Sequence, residues 1–282
     1  MSGTPLSTVL SEVEKIEISL LLEAIFQRYG YDFRDYARAS VERRLTSFLV
    51  DSGCKSYSEV TYRLLREPTF FYQLIPSFSV SVTSLFRDPL FYAALREKVV
   101  PLLRTWPHFK VWHAGCATGE EVYSMSIMLK EEGIYDRATI YATDISESAI
   151  EKAKAGIYSL DTIQKGSKDY HKSGGHNSLS DYYHVRYNAA AISANLKKRV
   201  TFALHNLVTD KAFGEMQMVV CRNVLIYFNE ELQNQVLELF WESLERGGFL
   251  CLGDKETLAF SAVATKFKAL DDKYRIYKKK VR

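Results

Sequence analysis

Cysteine is scarce in this sequence, with four residues in 282, and none of the four belongs to a C-x-x-C pair. The spacing therefore indicates neither a zinc site nor a dithiol redox motif. Cys116, Cys221 and Cys251 fall in segments that we predict to be buried strands or turns. We expect these thiols to act as small apolar residues in a reducing compartment.

Long apolar runs and a strong excess of one charge are also absent. No apolar run approaches the ~20 residues that span a bilayer, and no signal peptide opens the chain. We therefore expect a soluble, cytoplasmic protein without membrane insertion. The net charge is +3, from 37 basic and 34 acidic residues, which is too small an excess to indicate nucleic-acid binding. With 47% hydrophobic and 25% charged residues, the composition is that of a globular protein.

Apolar residues recur at helical spacing through about the first 80 residues, which predicts a small all-helical domain. Two stripes carry this prediction: Ile18, Leu21, Leu22, Ile25 and Phe26 in one helix, and Val41, Leu45, Phe48 and Leu49 in another. Arg43 and Arg44 are predicted to lie on the opposite, solvent-exposed face of the second helix.

From about residue 101, short apolar strands alternate with helical patterns, which predicts an α/β domain with a doubly wound, mostly parallel sheet. The predicted strands cover residues 110–114, 139–143, 200–203, 218–221 and 249–252, and the predicted helices cover residues 120–132, 147–155 and 230–244. We expect Ser146 and Asn229 to cap the last two helices. Gly247 and Gly248 are expected to close the last one.

One segment, residues 165–183, interrupts this alternation and is rich in Gly, Ser, Lys and His. It is either a mobile surface loop or a small docking subdomain. His171 and His176 lie in it, but no carboxylate or thiol cluster completes a ligand set, so we predict no metal site.

The most informative segment is VWHAGCATGEE at residues 111–121, followed by Asp144 after the next strand. The glycines allow a ligand to approach the backbone, and the acid can accept hydrogen bonds from ribose hydroxyls. Glu120 and Glu121 begin the helix where a pyrophosphate would otherwise bind. This arrangement favours an adenosine ligand without phosphates, namely S-adenosylmethionine. A C-terminal antiparallel hairpin, predicted from residues 267–278, is typical of methyltransferase sheets rather than dehydrogenase sheets.

These segments together resemble the CheR family, the S-adenosylmethionine-dependent glutamate O-methyltransferases of bacterial chemoreceptors. The resemblance covers about residues 15–278. Its motifs are YGYDF at 29–33, YARAS at 36–40, RR at 43–44, VTSLFRD at 82–88, GCATGEE at 115–121, ATDI at 142–145 and CRNVLIYF at 221–228.

The resemblance implies a domain organisation and an activity. Residues 1–80 would form a helical receptor-docking domain, and residues 81–100 a linker helix that contributes to the active site. Residues 101–282 would form a class I methyltransferase domain with a small β-subdomain inserted at about 160–198. The implied reaction moves a methyl group from S-adenosylmethionine to glutamate carboxylates of a methyl-accepting chemoreceptor. It leaves S-adenosylhomocysteine and a glutamate methyl ester.

The resemblance also implies site residues. Arg87 and Tyr227 would be catalytic, and the cofactor would be bound by Ser81, Thr83, Arg87, Gly115, Glu121, Asp144, Asn206, Leu207, Arg222 and Asn223. Arg38, Arg43 and Arg44 would steer the acidic helical bundle of the receptor. Gly174 and Gly175 lie in the insertion that in some members docks a receptor tether peptide by β-strand addition. The enzyme would act as a monomer.

Departures from the family pattern are Ala117 for Ser, Val122 for Pro, Ser81 for Asn, and Asp254-Lys255-Glu256 for His-Ser-Glu. Three other interpretations stay open from the sequence. A nucleic-acid methyltransferase is disfavoured because no proline follows Arg222-Asn223. In the second, the chain is a non-catalytic module that binds the cofactor. In the third, the chain is a methyltransferase whose substrate is a receptor of a motility or biofilm pathway.

Overall fold

A computed structural model describes residues 10–78, 83–212 and 214–281. The chain forms two compact units: a helical unit that ends at Phe78, and a sheet unit that comprises the rest. Ser81, a predicted cofactor ligand, lies outside the described residues. None of the described helices combines the length and apolarity needed to cross a membrane.

The helical unit contains α1 (Glu12–Tyr29), α2 (Arg38–Asp51), α3 (Tyr57–Arg66) and α4 (Pro68–Phe78). α1 begins with a capping box between Ser11 and Glu14 and ends at Gly30, whose φ is +75°. The interior faces contain Ile18, Leu21, Leu22 and Ile25 on α1 and Val41, Leu45 and Phe48 on α2, which confirms these members of the two predicted stripes. Phe26 and Leu49, the other predicted members, are half-buried.

Arg44 does not lie on the exposed face of α2, so that prediction is wrong. It shares the buried stripe with Val41, Leu45 and Phe48, at i, i+3, i+4 and i+7 spacing, and is only 7% exposed. Its guanidinium donates hydrogen bonds to the carbonyl oxygens of Ser77 and Phe78, which places the charge among otherwise orphaned groups at the end of α4. Arg38 and Arg43 are exposed, as predicted.

The sheet unit begins with a helix in which α5 (Pro89–Ala94) passes through one π-helical turn (Leu95–Val99) into α6 (Val100–Leu103). The elements that follow are β1 (Phe109–Ala114), α7 (Glu120–Glu131), β2 (Ala138–Asp144), α8 (Glu147–Ala155), β3 (Ile157–Ser159), α9 (Leu160–Lys172), β4 (Tyr183–Arg186), β5 (Ala189–Ile192), β6 (Val200–Leu204), β7 (Met216–Cys221), α10 (Glu230–Ser243), β8 (Leu244–Leu252), β9 (Phe267–Asp271) and β10 (Ile276–Lys279).

The main sheet has the strand order β6-β2-β1-β7-β8-β10-β9 in the described chain. The first five of these strands pair in parallel, and β10 lies antiparallel between β8 and β9. This is the class I methyltransferase topology, and it confirms the predicted mostly parallel sheet with an antiparallel C-terminal hairpin. Val111, Trp112, Val219 and Val220 are fully buried, as expected for strands covered on both faces.

The caps and one strand boundary test the finer predictions. The side chains of Ser146 and Asn229 accept hydrogen bonds from the backbone N–H groups of Ala149 and Leu232, which confirms both as helix caps. β8 starts at Leu244, earlier than predicted, and runs through the two glycines that were expected to end α10. A Cβ on Gly248 would lie 3.1 Å from the carbonyl oxygen of Met216, so the absence of a side chain permits this close pairing.

The insertion is not a simple loop, because α9 continues through Lys172. A second, three-stranded antiparallel sheet in the order β3-β5-β4 flanks α9. Gly174 and Gly175 lie in the turn after α9 rather than in a strand. A Cβ on Gly175 would lie 2.3 Å from the ring of Tyr170, so packing alone accounts for this glycine.

Candidate active site

The predicted site residues follow directly after adjacent parallel strands. Gly115 follows β1, Asp144 ends β2, Asn206 lies two residues past β6, and Arg222 follows β7. In the sheet order these strands are neighbours around the point where the chain reverses its direction of winding. Ligands of open α/β sheets bind at the carboxyl ends of strands at such a point. The fold therefore brings these four residues to one edge.

The turn after β1 depends on glycine. Gly115 has a φ of +78°, and a Cβ there would lie 2.5 Å from the Cγ2 atom of Val224. Gly119 has a φ of +91°, and a Cβ there would lie 2.8 Å from the Cβ of Ala153. Both positions combine a left-handed backbone with close packing, so residues other than glycine are excluded for two independent reasons.

Asp144 is built to accept hydrogen bonds. One carboxylate oxygen accepts the N–H of Ala117 and the other accepts the N–H of Ser146, both at 2.9 Å. Each oxygen keeps a further lone pair, so the carboxylate can also accept both hydroxyls of a ribose diol. Burial raises the pKa of Asp144, and the backbone N–H groups partly oppose this shift by favouring the charged form. Asp144 therefore fits the ribose-binding role of an adenosyl ligand.

A charge network lies beside this turn and centres on the buried Arg222, whose side chain is 2% exposed, whereas its partner Asp88 is 46% exposed. Its guanidinium contacts the carboxylates of Asp88 at 2.6 Å and Glu121 at 3.2 Å. The same group lies over the ring of Phe91, 4.2 Å from the centroid, and donates to the carbonyl oxygen of Arg87 at 3.4 Å. One cation thus joins the segment around residue 87 to α7.

Glu121 receives a second partner from β1. The Nδ1 atom of His113 lies 3.0 Å from one oxygen of Glu121, and His113 is fully buried. Burial opposes ionisation of Glu121, but the hydrogen bond with His113 and the charge of Arg222 outweigh it, so the pKa of Glu121 is below its usual value. Glu121 therefore presents a carboxylate that stays charged inside the site, which suits a cationic ligand.

The segment that carries Arg87 is held in an unusual backbone conformation. Phe86 and Asp88 both have left-handed φ values, +53° and +56°. The N–H of Phe86 donates to the hydroxyl of Ser124 at 2.8 Å, and Asp88 is tied to Arg222. Strained backbone of this kind persists only where surrounding contacts impose it, and it is concentrated at functional sites.

The loop after β7 carries three predicted site residues. Arg222 and Asn223 open it, and Tyr227 ends a single 3-10 turn at Leu225–Tyr227. Asn223 has a φ of +62°, and its N–H donates to the carboxylate of Glu256 at 3.1 Å. Of the remaining predicted ligands, Thr83, Asn206 and Leu207 are half-buried.

Three residues of this site were not predicted: His113, Asp88 and Glu256. Asp88 adjoins Arg87 in the VTSLFRD motif, and Glu256 ends the Asp254-Lys255-Glu256 departure. Asp254 and Lys255 are exposed, whereas Glu256 is 4% exposed, so the two substituted positions lie at the surface and the retained acid is buried. His113 lies within the β1 motif, but only the fold places it against Glu121.

The sequence of this chain matches two models of a known methyltransferase family. Residues 81–276 match the model of the CheR methyltransferase, SAM binding domain, and residues 16–79 match that of the CheR methyltransferase, all-alpha domain. The chain belongs to the CheR methyltransferase family. The predicted family, its methyltransferase class and its S-adenosylmethionine-binding domain are thereby confirmed.

The chain is 48% identical to Cher3 of Pseudomonas putida, provisionally described as a methyltransferase, over 94% of this chain and 97% of that protein. It is 31% identical to the chemotaxis protein methyltransferase of Borreliella burgdorferi over 87% of this chain and 89% of that protein. It is also 31% identical to chemotaxis protein methyltransferase 1 of Pseudomonas aeruginosa, over 77% and 81% of the two chains.

The geometry of Asp144 leads to a binding prediction. The isosteric change Asp144→Asn removes the charge and one acceptor oxygen, so we expect S-adenosylmethionine and S-adenosylhomocysteine to bind more weakly by about 1.5–3 kcal/mol each. Isothermal titration calorimetry measures both affinities. The exposed acid Glu147, three residues along the chain, supplies the control Glu147→Gln. Affinity of Asp144→Asn within twofold of the wild type would contradict the ribose-binding role.

Proposed function

We propose that this chain transfers a methyl group from S-adenosylmethionine to glutamate side chains of a bacterial chemoreceptor and forms methyl esters. Membership of the CheR family supports the chemistry, and the names of the B. burgdorferi and P. aeruginosa relatives support a chemotaxis role. The proposal includes the division of labour predicted from the sequence, with receptor docking by the helical unit and methyl transfer by the sheet unit.

A carboxylate acceptor places few demands on proton transfer. Glutamate has a reference pKa of about 4.3, so it is already ionised at neutral pH and needs no general base. S-adenosylmethionine, when bound, supplies an electrophilic methyl group on a sulfonium ion. The protein must align the carboxylate with that methyl group, an effect worth up to ~7–11 kcal/mol.

The observation that carries the proposal is the charge network of the buried Arg222 with Glu121 and Asp88. It links a persistently charged carboxylate, suited to a cationic donor, to the backbone of Arg87. We propose that Arg87 offers its planar fork to a carboxylate and that Tyr227 offers its aromatic face to the methyl-sulfonium group. Thr83, Asn206, Leu207 and Asn223 complete the proposed cofactor site.

The direct test is transfer of a labelled methyl group to the cytoplasmic fragment of a receptor encoded beside this chain. The expected product is a base-labile ester on acidic helical segments. Label that resists mild base, or label on nucleic acid, would contradict carboxylate chemistry. Tight cofactor binding with no transfer to any receptor fragment would favour a regulatory module instead.

Receptor docking is proposed to use the exposed Arg38 and Arg43 of α2. Reversing both charges, Arg38→Glu with Arg43→Glu, should raise the KM for receptor about threefold to tenfold and flatten its salt dependence. The affinity for S-adenosylhomocysteine should not change. Arg44 is left intact because it is buried, and Lys55→Glu, an exposed reversal in the same unit, is the matched control. If the KM for receptor depended on salt as it does in the wild type, Arg38 and Arg43 would have no part in receptor docking.

The small sheet is the proposed site for a receptor tether peptide. β4 is an edge strand of that sheet, and His184, Val185 and Arg186 are all exposed. An edge strand can add a further strand through its backbone hydrogen bonds. Docking by Gly174 and Gly175 stays a prediction, although both lie outside the strands.

A further inference from the structure

Glu256 is a buried acid with an unusual set of partners. It lies in the loop after β8 and is 4% exposed, and its carboxylate accepts hydrogen bonds from four backbone N–H groups. The donors are Gly253 at 2.6 Å, Asn223 at 3.1 Å, and Val224 and Leu225 at 2.8 Å each. Burial raises the pKa of this carboxyl group, and the four N–H groups favour its charged form.

Three of those donors are consecutive residues of the loop after β7. They lie between the end of β7 and the first residue of the turn at Leu225–Tyr227, so their N–H groups have no sheet partner to bind. Asn223 is also held at a φ of +62°, a left-handed conformation that asparagine adopts more readily than most residues. The carboxylate of Glu256 satisfies these groups from a part of the chain about thirty residues away.

The loop that carries Glu256 packs closely against the loop after β7, and Gly253 makes this close approach possible. A Cβ on Gly253 would lie 2.8 Å from a carboxylate oxygen of Glu256 and 2.9 Å from the backbone nitrogen of Asn223. The glycine therefore permits the two loops to meet at hydrogen-bonding distance. Asp254 and Lys255, between Gly253 and Glu256, are exposed and take no part in this contact.

We propose that Glu256 is a positioning residue for methyl transfer, which sets the backbone of residues 223–225 and thereby the placement of Arg222 and Tyr227. The inference rests on the proposed function, because it assigns Glu256 a role in that reaction. Glu256 itself has no contact with the reacting atoms in this scheme. Its effect passes through the loop, and a displacement of about 1 Å in such a loop can slow a reaction by 10²-fold.

The test combines Glu256→Gln with the control Asp254→Asn, which removes a charge from an exposed position of the same loop. In Glu256→Gln the amide can serve fewer of the N–H groups and loses the negative charge. We expect hydrogen exchange of the peptide covering residues 222–228 to quicken at least about tenfold, with the β1 peptide unchanged. We expect kcat to fall about 10²-fold, with the KM for receptor nearly constant. Asp254→Asn should match the wild type.

A second variant distinguishes a local effect on residues 222–228 from a general loss of structure. Gly253→Ala keeps the acid but separates the two loops, so it should also quicken exchange at residues 222–228. Uniformly faster exchange across the sheet unit in both variants would show a merely structural role and overturn the inference. Wild-type exchange and kcat in Glu256→Gln would overturn it as well. Failure of the wild type to methylate any receptor would refute the proposed function, while exchange at 222–228 and S-adenosylhomocysteine affinity would still test Glu256.

Discussion

Replacing Arg222 with alanine is expected to lower the free energy of unfolding of the sheet unit by about 3–5 kcal/mol, because the change leaves the carboxylate of Glu121, whose side chain is only 15% exposed, without its cation. Glu121 would keep His113 but lose its ion pair, and Asp88 would lose the contact that holds its left-handed backbone. The pKa of Glu121 is below its usual value partly because of Arg222, so the variant should favour uptake of a proton there.

The measurement can be confined to the sheet unit. All three tryptophans of the chain, Trp106, Trp112 and Trp241, lie in that unit, so denaturation followed by tryptophan fluorescence reports on it alone. The control is Lys165→Ala, which removes an ion pair with Asp161 in which both side chains are at least 70% exposed. That change should stay within about 0.5 kcal/mol. Equal losses of unfolding free energy in the two variants would show that the ion pairs of Arg222 stabilise the protein no more than an exposed pair does.

Replacing Tyr227 with alanine is expected to reduce kcat by about 10²-fold, whereas Tyr227→Phe should reduce it less than about tenfold. The phenylalanine variant keeps the aromatic face and removes only the hydroxyl. Arg87→Ala should lower both cofactor affinity and rate, because Arg87 is proposed to hold a carboxylate of the cofactor or the substrate. Circular dichroism and S-adenosylhomocysteine binding separate these effects from unfolding. Equal, severe losses of kcat in both tyrosine variants would show that the hydroxyl, and not the aromatic face, is the part of Tyr227 that promotes methyl transfer.

The same mechanism predicts a nearly flat pH profile. At saturating cofactor, kcat should change little from about pH 6.5 to 8.5, since the acceptor carboxylate is ionised throughout and no general base is required. A steep rise with pH in folded protein would reveal a catalytic base and overturn an alignment mechanism. Because His113 lies against Glu121, a His113→Gln variant would show whether that imidazole is responsible.

Much of the site was predictable because its signals are local in sequence. Gly115 and Gly119 mark a turn that only glycine can make, and Asp144 ends the next strand. The carboxyl ends of neighbouring parallel strands must meet at one edge, so the alternation of strands and helices was enough to bring these residues together. Ser146 and Asn229 were identifiable as caps for the same reason, since a cap acts within its own first turn.

The prediction from helical periodicity that Arg44 is exposed was wrong. From the sequence, Arg44 is assigned to the solvent-exposed face because its side chain is charged, although position 44 is three residues from Val41 and lies within the apolar stripe of α2. A long side chain can bury its stem along an apolar surface when backbone carbonyl oxygens receive its charge at the far end. The carbonyl oxygens of Ser77 and Phe78 come from α4, which the pattern within α2 cannot reveal.

Local patterns in the sequence predict the strands of the main sheet and their order along the chain, the glycine turn, the acid at the end of β2 and the family motifs. The small sheet of β3, β4 and β5 was implied only by the family resemblance. The pairing of charges follows from the folded chain instead: Arg222 binds Asp88 and Glu121 across 134 and 101 residues, His113 binds Glu121, and Glu256 binds the loop after β7. Local periodicity specifies which face of an element is buried. The partner of a buried charge depends on which elements the sheet order places side by side, and that order is a property of the whole fold.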